Sequence, residues 1–221
     1  MSTLKIRAPS ASTSAPVGRR ERNKSDKGRR IREAARDVFI EYGYEAATTR
    51  EIAARADVSV GTVFVYARDK RDLLLLIVND ELDEVGAKGR AIVERPGPLH
   101  DRLLAFFRLR YAYWAREPRL ARPALRETFD FLLPDSAHGP ETQRFYKRRP
   151  LVIQQVQQMV AEAQGLGEVR ADLSPAEVAS VIFNLYLVEA RHWLATDQPR
   201  VAKGLARLGA VLDLVLRGVL A

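Results

Sequence analysis

Residues 48–70 read TTREIAARADVSVGTVFVYARDK. Thr48 is placed to cap a helix, and Glu51, three residues on, can return the second bond of a capping box. Ile52, Ala53 and Ala56 then form a short apolar face at helical spacing. Asp57-Val58-Ser59 breaks that pattern after barely two turns. Ser59 can cap a second short helix, Val60 to Tyr66. Two short helices joined by a tight turn make a helix-turn-helix, the arrangement that lays its second helix in the major groove of a duplex. The start of this second helix, Val60-Gly61-Thr62, is small. Such residues cannot serve catalysis, but they let backbone and methyl groups approach DNA closely.

The flanks support the pair. Upstream, Ile31, Ala34, Ala35, Val38 and Phe39 recur at helical spacing and predict one buried stripe on a helix from about Asp26 to Tyr42. Arg29, Arg30, Arg32 and Arg36 lie largely off that stripe. Gly43 is a left-handed stop. Downstream, Asp69 caps a further helix with Asp72 at its capping-box position, and Leu73, Leu76 and Ile77 pack it back onto the pair. Gly86, Gly89 and then Pro96-Gly97-Pro98 are its stop signals, giving a helix from Lys70 to Gly89, about 30 Å long.

The chain has 221 residues, 47% of them apolar and 29% charged, an ordinary composition for a folded soluble protein. No stretch approaches about 18 continuous apolar residues, so no membrane span is expected. The N-terminus lacks an apolar signal core, which points to the cytoplasm. There is no cysteine, and His100, His138 and His192 are too scattered to form a set, so no metal and no cofactor are expected. The net charge of +8 is unevenly placed. Residues 1–36 hold eleven Lys/Arg against three Asp/Glu, whereas residues 37–90 hold seven against eleven. A basic lead into a helix-turn-helix supplies sequence-independent, salt-sensitive affinity for phosphates. Residues 1–24, rich in Ser, Ala, Pro and Arg, read as a disordered basic arm.

Beyond Leu99 every readable segment is helical: Leu99–Ala115, Arg119–Phe131, a loop at 132–140, Glu141–Gln164, Asp172–Ala195 (capped by Ser174, with Pro175 and Glu177) and Gln198–Leu220. The last two are apolar on more than one face. Val178, Ile182, Leu185, Glu189 and His192 trace one stripe of the first, and Ala179, Phe183, Tyr186 and Ala190 another. A helix apolar over most of its circumference is covered on several sides, which predicts a partner chain.

The run TTREIAARADVSVGTVFVYARDKRDLL resembles the TetR family of bacterial one-component transcription regulators. The likeness is close over about residues 26–80 and extends beyond them in helical organisation only. Three positions depart from the family pattern. Asp57 stands where the family usually has Gly, Phe64 where a Tyr often donates its hydroxyl to a phosphate, and Ala67 where a Phe usually packs. The resemblance implies an all-α protein with three parts: the arm at 1–24, a helix-turn-helix DNA-binding domain at 25–85, and a helical effector-binding and dimerisation domain at 86–221. It implies a homodimer through residues about 174–220 that sets two recognition helices about 34–36 Å apart, or a multiple, over a near-palindromic operator.

Carried over residue by residue, the resemblance assigns DNA contacts to Thr48, Thr49, Arg50, Val60, Gly61, Thr62, Val65, Tyr66 and Lys70. Ile52, Ala53, Val58, Val63 and Phe64 are expected in the core instead. It also implies a small-molecule effector of unknown identity in the second domain. Phe106, Arg110, Tyr111, Trp114, Phe129, Phe183 and Tyr186 are candidates for its lining, each of which reads equally as core. The function expected is a ligand-responsive repressor released from DNA by its effector. The alternative is a non-regulatory DNA-packaging protein with little sequence preference, which would not need an aromatic-lined second domain. No Gly-rich phosphate loop, nucleophile elbow or paired His/carboxylate motif argues for an enzyme.

Overall fold

The computed structural model describes residues 19–128 and 138–218. Among them the chain forms α1 (Arg19–Tyr42), α2 (Thr49–Arg55), α3 (Val60–Tyr66), α4 (Lys70–Val93), α5 (Leu99–Ala115), α6 (Pro118–Glu127), α7 (Pro140–Gly165), α8 (Pro175–Leu194) and α9 (Val201–Leu216). The caps read from the sequence set the starts. Thr48, Ser59, Asp69 and Ser174 each accept a bond from the backbone N–H three residues on.

The first helix begins at Arg19, seven residues before its expected start at Asp26, so the end of the expected basic arm, residues 19–24, is helical. Residues 1–18 lie outside the described part. The stripe itself is as expected: Ile31, Ala34, Ala35, Val38 and Phe39 are buried. α2 packs on α1 and α3 on α2, with Ile52, Ala53 and Val63 all buried.

α4 crosses the expected boundary at 85/86 without a break and continues to Val93. The sequence reading ended it at Gly89, yet Gly89 is buried in the helix. A Cβ there would come within 2.9 Å of the Phe106 ring, so this glycine allows α5 to pack closely on α4. One hydrophobic cluster therefore runs from Ile31 in α1 to Leu216 in α9, with α4 as the shared element.

A polar seam joins α4 to α7. Asp72 is buried, and its carboxylate is directed away from the expected capping box. One oxygen accepts from the Thr142 backbone N–H (2.8 Å) and hydroxyl (3.1 Å), and the other from the Arg68 N–H (3.0 Å). It thus supplies the N-terminal cap that α7 lacks at Gly139. Further along, Asn79 donates to the Glu141 carboxylate (2.7 Å) and accepts from Arg148 (2.7 Å), while Arg144 and Arg148 pair with Asp83.

Both stripes read on α8 point largely into the subunit. Val178, Ile182, Ala179, Phe183, Tyr186 and Ala190 are buried by α5, α6, α7 and α9, and Glu189, also buried, pairs with Arg207. What remains at the surface is a third set. Val181 and Val188 on α8 and Leu214 on α9 are exposed, with Leu185, Val211 and Val215 half-buried. α9 ends at Leu216, four residues short of its expected end, and residues 219–221 lie outside the described part.

Candidate nucleic-acid interface and effector cavity

α2 and α3 are seven residues each, too short to persist without their caps and their shared core. Thr48 and Glu51 complete the capping box: the Glu51 N–H donates to the Thr48 hydroxyl (3.2 Å), and the Thr48 N–H to the Glu51 carboxylate (2.8 Å). Ser59 accepts from the Thr62 N–H (3.1 Å), and their hydroxyls share a further bond of 2.9 Å. The turn between the helices holds Asp57 at φ 51°, in the left-handed region. That is the position at which the family pattern has Gly, and Asp is among the few side chains that tolerate it. Arg30 of α1 locks the turn by donating to the carbonyls of Ala56 and Asp57 and to the Asp57 carboxylate (3.1 Å).

The residues expected to meet DNA fall into three groups. Thr48, Arg50, Gly61 and Val65 are exposed, Val65 at 75%. Thr49, Val60 and Thr62 are half-buried beside them. Tyr66 and Lys70 are engaged within the protein. The Tyr66 hydroxyl donates to the Lys24 carbonyl (2.8 Å) and its ring lies against Gly28, bracing α3 on α1. Lys70 Nζ donates to the Glu45 carbonyl (3.0 Å) and sits 4.8 Å from the centre of the Tyr44 ring, tying the loop between α1 and α2.

Phe64 is the residue the sequence reading misplaced. It was expected in the core and is 49% exposed. Val63 takes the inward position, and the next residue, turned by about 100°, faces solvent. A large aromatic ring beside Gly61 and Val65 extends the exposed apolar surface of α3.

In the second half of the chain, α4, α5, α6, α7 and α8 enclose a cavity of about 80 Å³. Arg110, Trp114, Phe183 and Tyr186 line it, as expected. Phe106 and Tyr111 do not. Phe106 lies beneath the Arg110 guanidinium, 4.3 Å from its ring centre, and Tyr111 packs on Trp193 and Gly204 towards α9. Phe129 lies outside the described residues. The reading missed the α7 wall of Phe145, Tyr146, Arg148, Arg149 and Val152. Those residues are about forty positions from α5, and nothing local marks them as cavity-facing.

The charges of the cavity are not equally satisfied. Arg148 is held by Asn79 and Asp83, and Arg149 donates to Asn184 (2.9 Å). Trp114 donates to the Tyr186 hydroxyl (3.1 Å). Arg110, 6% exposed, has no acceptor at Nη1, and burial pushes its pKa down to about 10. A larger open cleft of about 640 Å³ runs from the loop after α1 to α6 and α8. Three of its arginines are committed to internal acceptors: Arg126 to Glu45, Arg119 to the Ile40 carbonyl and Arg122 to the Leu194 carbonyl.

The profile of bacterial regulatory proteins of the tetR family matches residues 31–77, which span the second half of α1, all of α2 and α3 and the start of α4. The HTH-type transcriptional repressor KstR of Mycolicibacterium smegmatis is 28% identical over 169 residues, 76% of this chain and 77% of that protein. KstR of Mycobacterium tuberculosis is 28% identical over 192 residues, 86% and 79% of the two chains. Among solved structures, Thermus thermophilus FadR in complex with lauroyl-CoA superposes with a TM-score of 0.66 at 26% identity, covering 86% of this chain and 94% of that one. Bacillus subtilis FadR in complex with stearoyl-CoA shares the fold at 19% identity and a TM-score of 0.65, covering 86% and 98%. With a capped helix-turn-helix braced on α1, a long α4 leading into a helical body, and relatives of this kind along most of its length, residues 31–77 are a DNA-binding domain of the tetR family and the chain as a whole resembles the transcription regulators of that family.

Proposed function

We propose that the protein is a sequence-specific repressor that acts as a homodimer on a near-palindromic operator in the cytoplasm and is released by a small-molecule effector. The observation that carries this reading is the division of labour on α2 and α3. Ile52, Ala53 and Val63 anchor the pair, while Arg50, Gly61, Phe64 and Val65 stand free of the core. In this reading Thr48, Thr49 and Arg50 meet phosphates and a base edge at the start of α2, where helix amides favour an anion. Val60, Gly61, Thr62 and Val65 enter the groove. Tyr66 and Lys70 hold the head together and offer little beyond their ring and stem.

The exposed set Val181, Val188 and Leu214 belongs to the dimer face, within residues 174–220. The effector occupies the cavity behind Trp114, and the α4–α7 seam carries its influence. Arg148 lines the cavity and bonds Asn79 of α4, and Asp72 joins the α7 N-terminus to the Arg68 N–H, two residues beyond α3. A ligand that binds one spacing of the two heads better than the other lowers DNA affinity by that difference. KstR is named a repressor, and the FadR structures hold acyl-CoA, which accords with a ligand-responsive repressor.

Gel shifts with a palindrome from the protein's own promoter, against shuffled DNA at fixed salt, test the reading. Specific retention as a dimer is expected, and equal retention of both DNAs would favour the packaging alternative. Arg50→Ala should weaken specific binding by about 1–3 kcal/mol with unchanged melting, if the guanidinium reads a base.

A further inference from the structure

Among the described residues, the lining of the cavity has three arginines and no Asp or Glu. Two of them, Arg148 and Arg149, are paired with neighbours outside the cavity. Arg110 is buried with an unpartnered Nη1, and its guanidinium lies over the face of Phe106. Arginine cannot discard its proton to escape this situation. A guanidinium held out of water without an acceptor costs several kcal/mol, of which a cation–π contact returns about 2. Such a group is tolerated where an acceptor arrives from outside. Its planar fork matches a carboxylate with two parallel bonds.

We propose that the effector is a free organic carboxylate with a compact apolar body, which enters carboxylate-first and closes on the Arg110 guanidinium while its body lies among Trp114, Phe145, Phe183 and Tyr186. The proposal rests on the ligand-responsive reading above and specifies the ligand. An acyl chain entering tail-first from a coenzyme A ester would set a methyl end against Arg110 and leave the charge unanswered. The cavity also favours a compact body. At about 80 Å³ it is smaller than the roughly 300–1,000 Å³ of pockets that hold drug-sized ligands, so each added methylene requires more of the wall to move.

The test uses five probes on the full-length dimer: 4-phenylbutyrate and octanoate, their neutral counterparts 4-phenyl-1-butanol and 1-octanol, and lauroyl-CoA. Binding is read by quenching of Trp114 fluorescence and by melting temperature, and release by gel shift on the operator. At least one carboxylate should bind at least tenfold more tightly than its alcohol. Arg110→Met should weaken that carboxylate about thirty-fold or more, leave the alcohol unchanged, and not lower the melting temperature of the free protein. Should Arg110→Met fail to fold, Arg110→Lys keeps the charge without the fork and should still lose carboxylate affinity selectively. Equal binding of acid and alcohol, or no binding of either acid, overturns the proposal. So does lauroyl-CoA binding that is indifferent to Arg110. In that last case release of DNA by lauroyl-CoA leaves the ligand-responsive reading standing, whereas probes that bind without releasing DNA count against that reading itself.

Discussion

The outer face of α3 and the inner end of α5 break the same rule in opposite directions. α3 holds Val65 and Phe64 in water, at 75% and 49% exposure, and α5 holds Arg110 out of it, at 6%. Single exposed apolar residues are common and need no explanation. Two side by side on a seven-residue helix beside an exposed glycine form a surface shaped for something else. A buried cation without an acceptor is rarer and costs more. Elsewhere Ile52, Val63, Leu73 and Phe107 are inside and the other buried charges are bonded, while the exposed Val181, Val188 and Leu214 lie on the face proposed for the dimer. In the proposed reading, partitioning fails outward on the surface that would meet DNA and inward on the surface that would meet a small molecule.

The largest effect should come from crossing the line within the reading head itself. Ile52→Ala removes a fully buried side chain from a core shared by three helices and should cost about 2–5 kcal/mol of stability. Val65→Ala, on the neighbouring helix, should stay within about 0.5 kcal/mol of the parent in urea unfolding. Its operator affinity should fall all the same. Comparable destabilisation by both would mean that Val65 is part of the scaffold and that the outward face of α3 is not a separate surface.

A second contrast separates buried charges that are answered from one that is not. Asp72 accepts three hydrogen bonds from Arg68 and Thr142, so Asp72→Ala strands two backbone N–H groups and a hydroxyl. A loss of about 1–3 kcal/mol is expected. Gly139 makes the same point from the other side, because a Cβ there would sit 2.4 Å from the Asp72 carboxylate. Removing the Arg110 charge should bring no such loss. Chemical denaturation of Asp72→Ala and Arg110→Met under one set of conditions measures both. Losses of similar size would show that Arg110 has an acceptor within the protein, and the cavity would then lose its claim on an anion.

Local signals made most of the fold legible and long-range ones hid the cavity. The caps at Thr48, Ser59, Asp69 and Ser174 and the α1 stripe are patterns within a few residues, and each is found where it was read. Gly89 looks like a stop along the chain because its reason, the Phe106 ring, is seventeen residues away on another helix. Phe64 looks like core because large aromatics usually are, and only its register against Val63 shows otherwise. Arg110, Trp114, Phe183 and Tyr186 stood out as aromatic and cationic residues on apolar helices. The α7 wall, Phe145 to Val152, reads as an ordinary helix face until α4, α5 and α8 are placed against it. The effect of Asp72 on α7 was equally invisible, since its capping-box position behind the Asp69 cap already accounted for it.

The smallest predicted effect concerns the turn that sets the angle between the two faces of the reading pair. Asp57 sits at φ 51°, where a side chain costs about 1 kcal/mol and glycine costs nothing. Asp57→Gly relieves that strain but frees the unfolded chain, which offsets about 0.4–1 kcal/mol of the gain. It also removes the carboxylate that meets Arg30 at 3.1 Å, a pair so exposed on the Asp57 side (97%) that its contribution is close to zero. Arg30 keeps its bonds to the carbonyls of Ala56 and Asp57, which any residue supplies. The net change in stability should therefore lie within about 0.5 kcal/mol of zero, with operator affinity unchanged. Asp57→Val, with a β-branched side chain that resists the left-handed region, should lose more than about 1 kcal/mol and loosen α3 along with it. If Asp57→Gly instead weakened DNA binding while melting as the parent does, the carboxylate would be acting on the duplex rather than on the turn, and Asp57 would join the outward surface of the comparison.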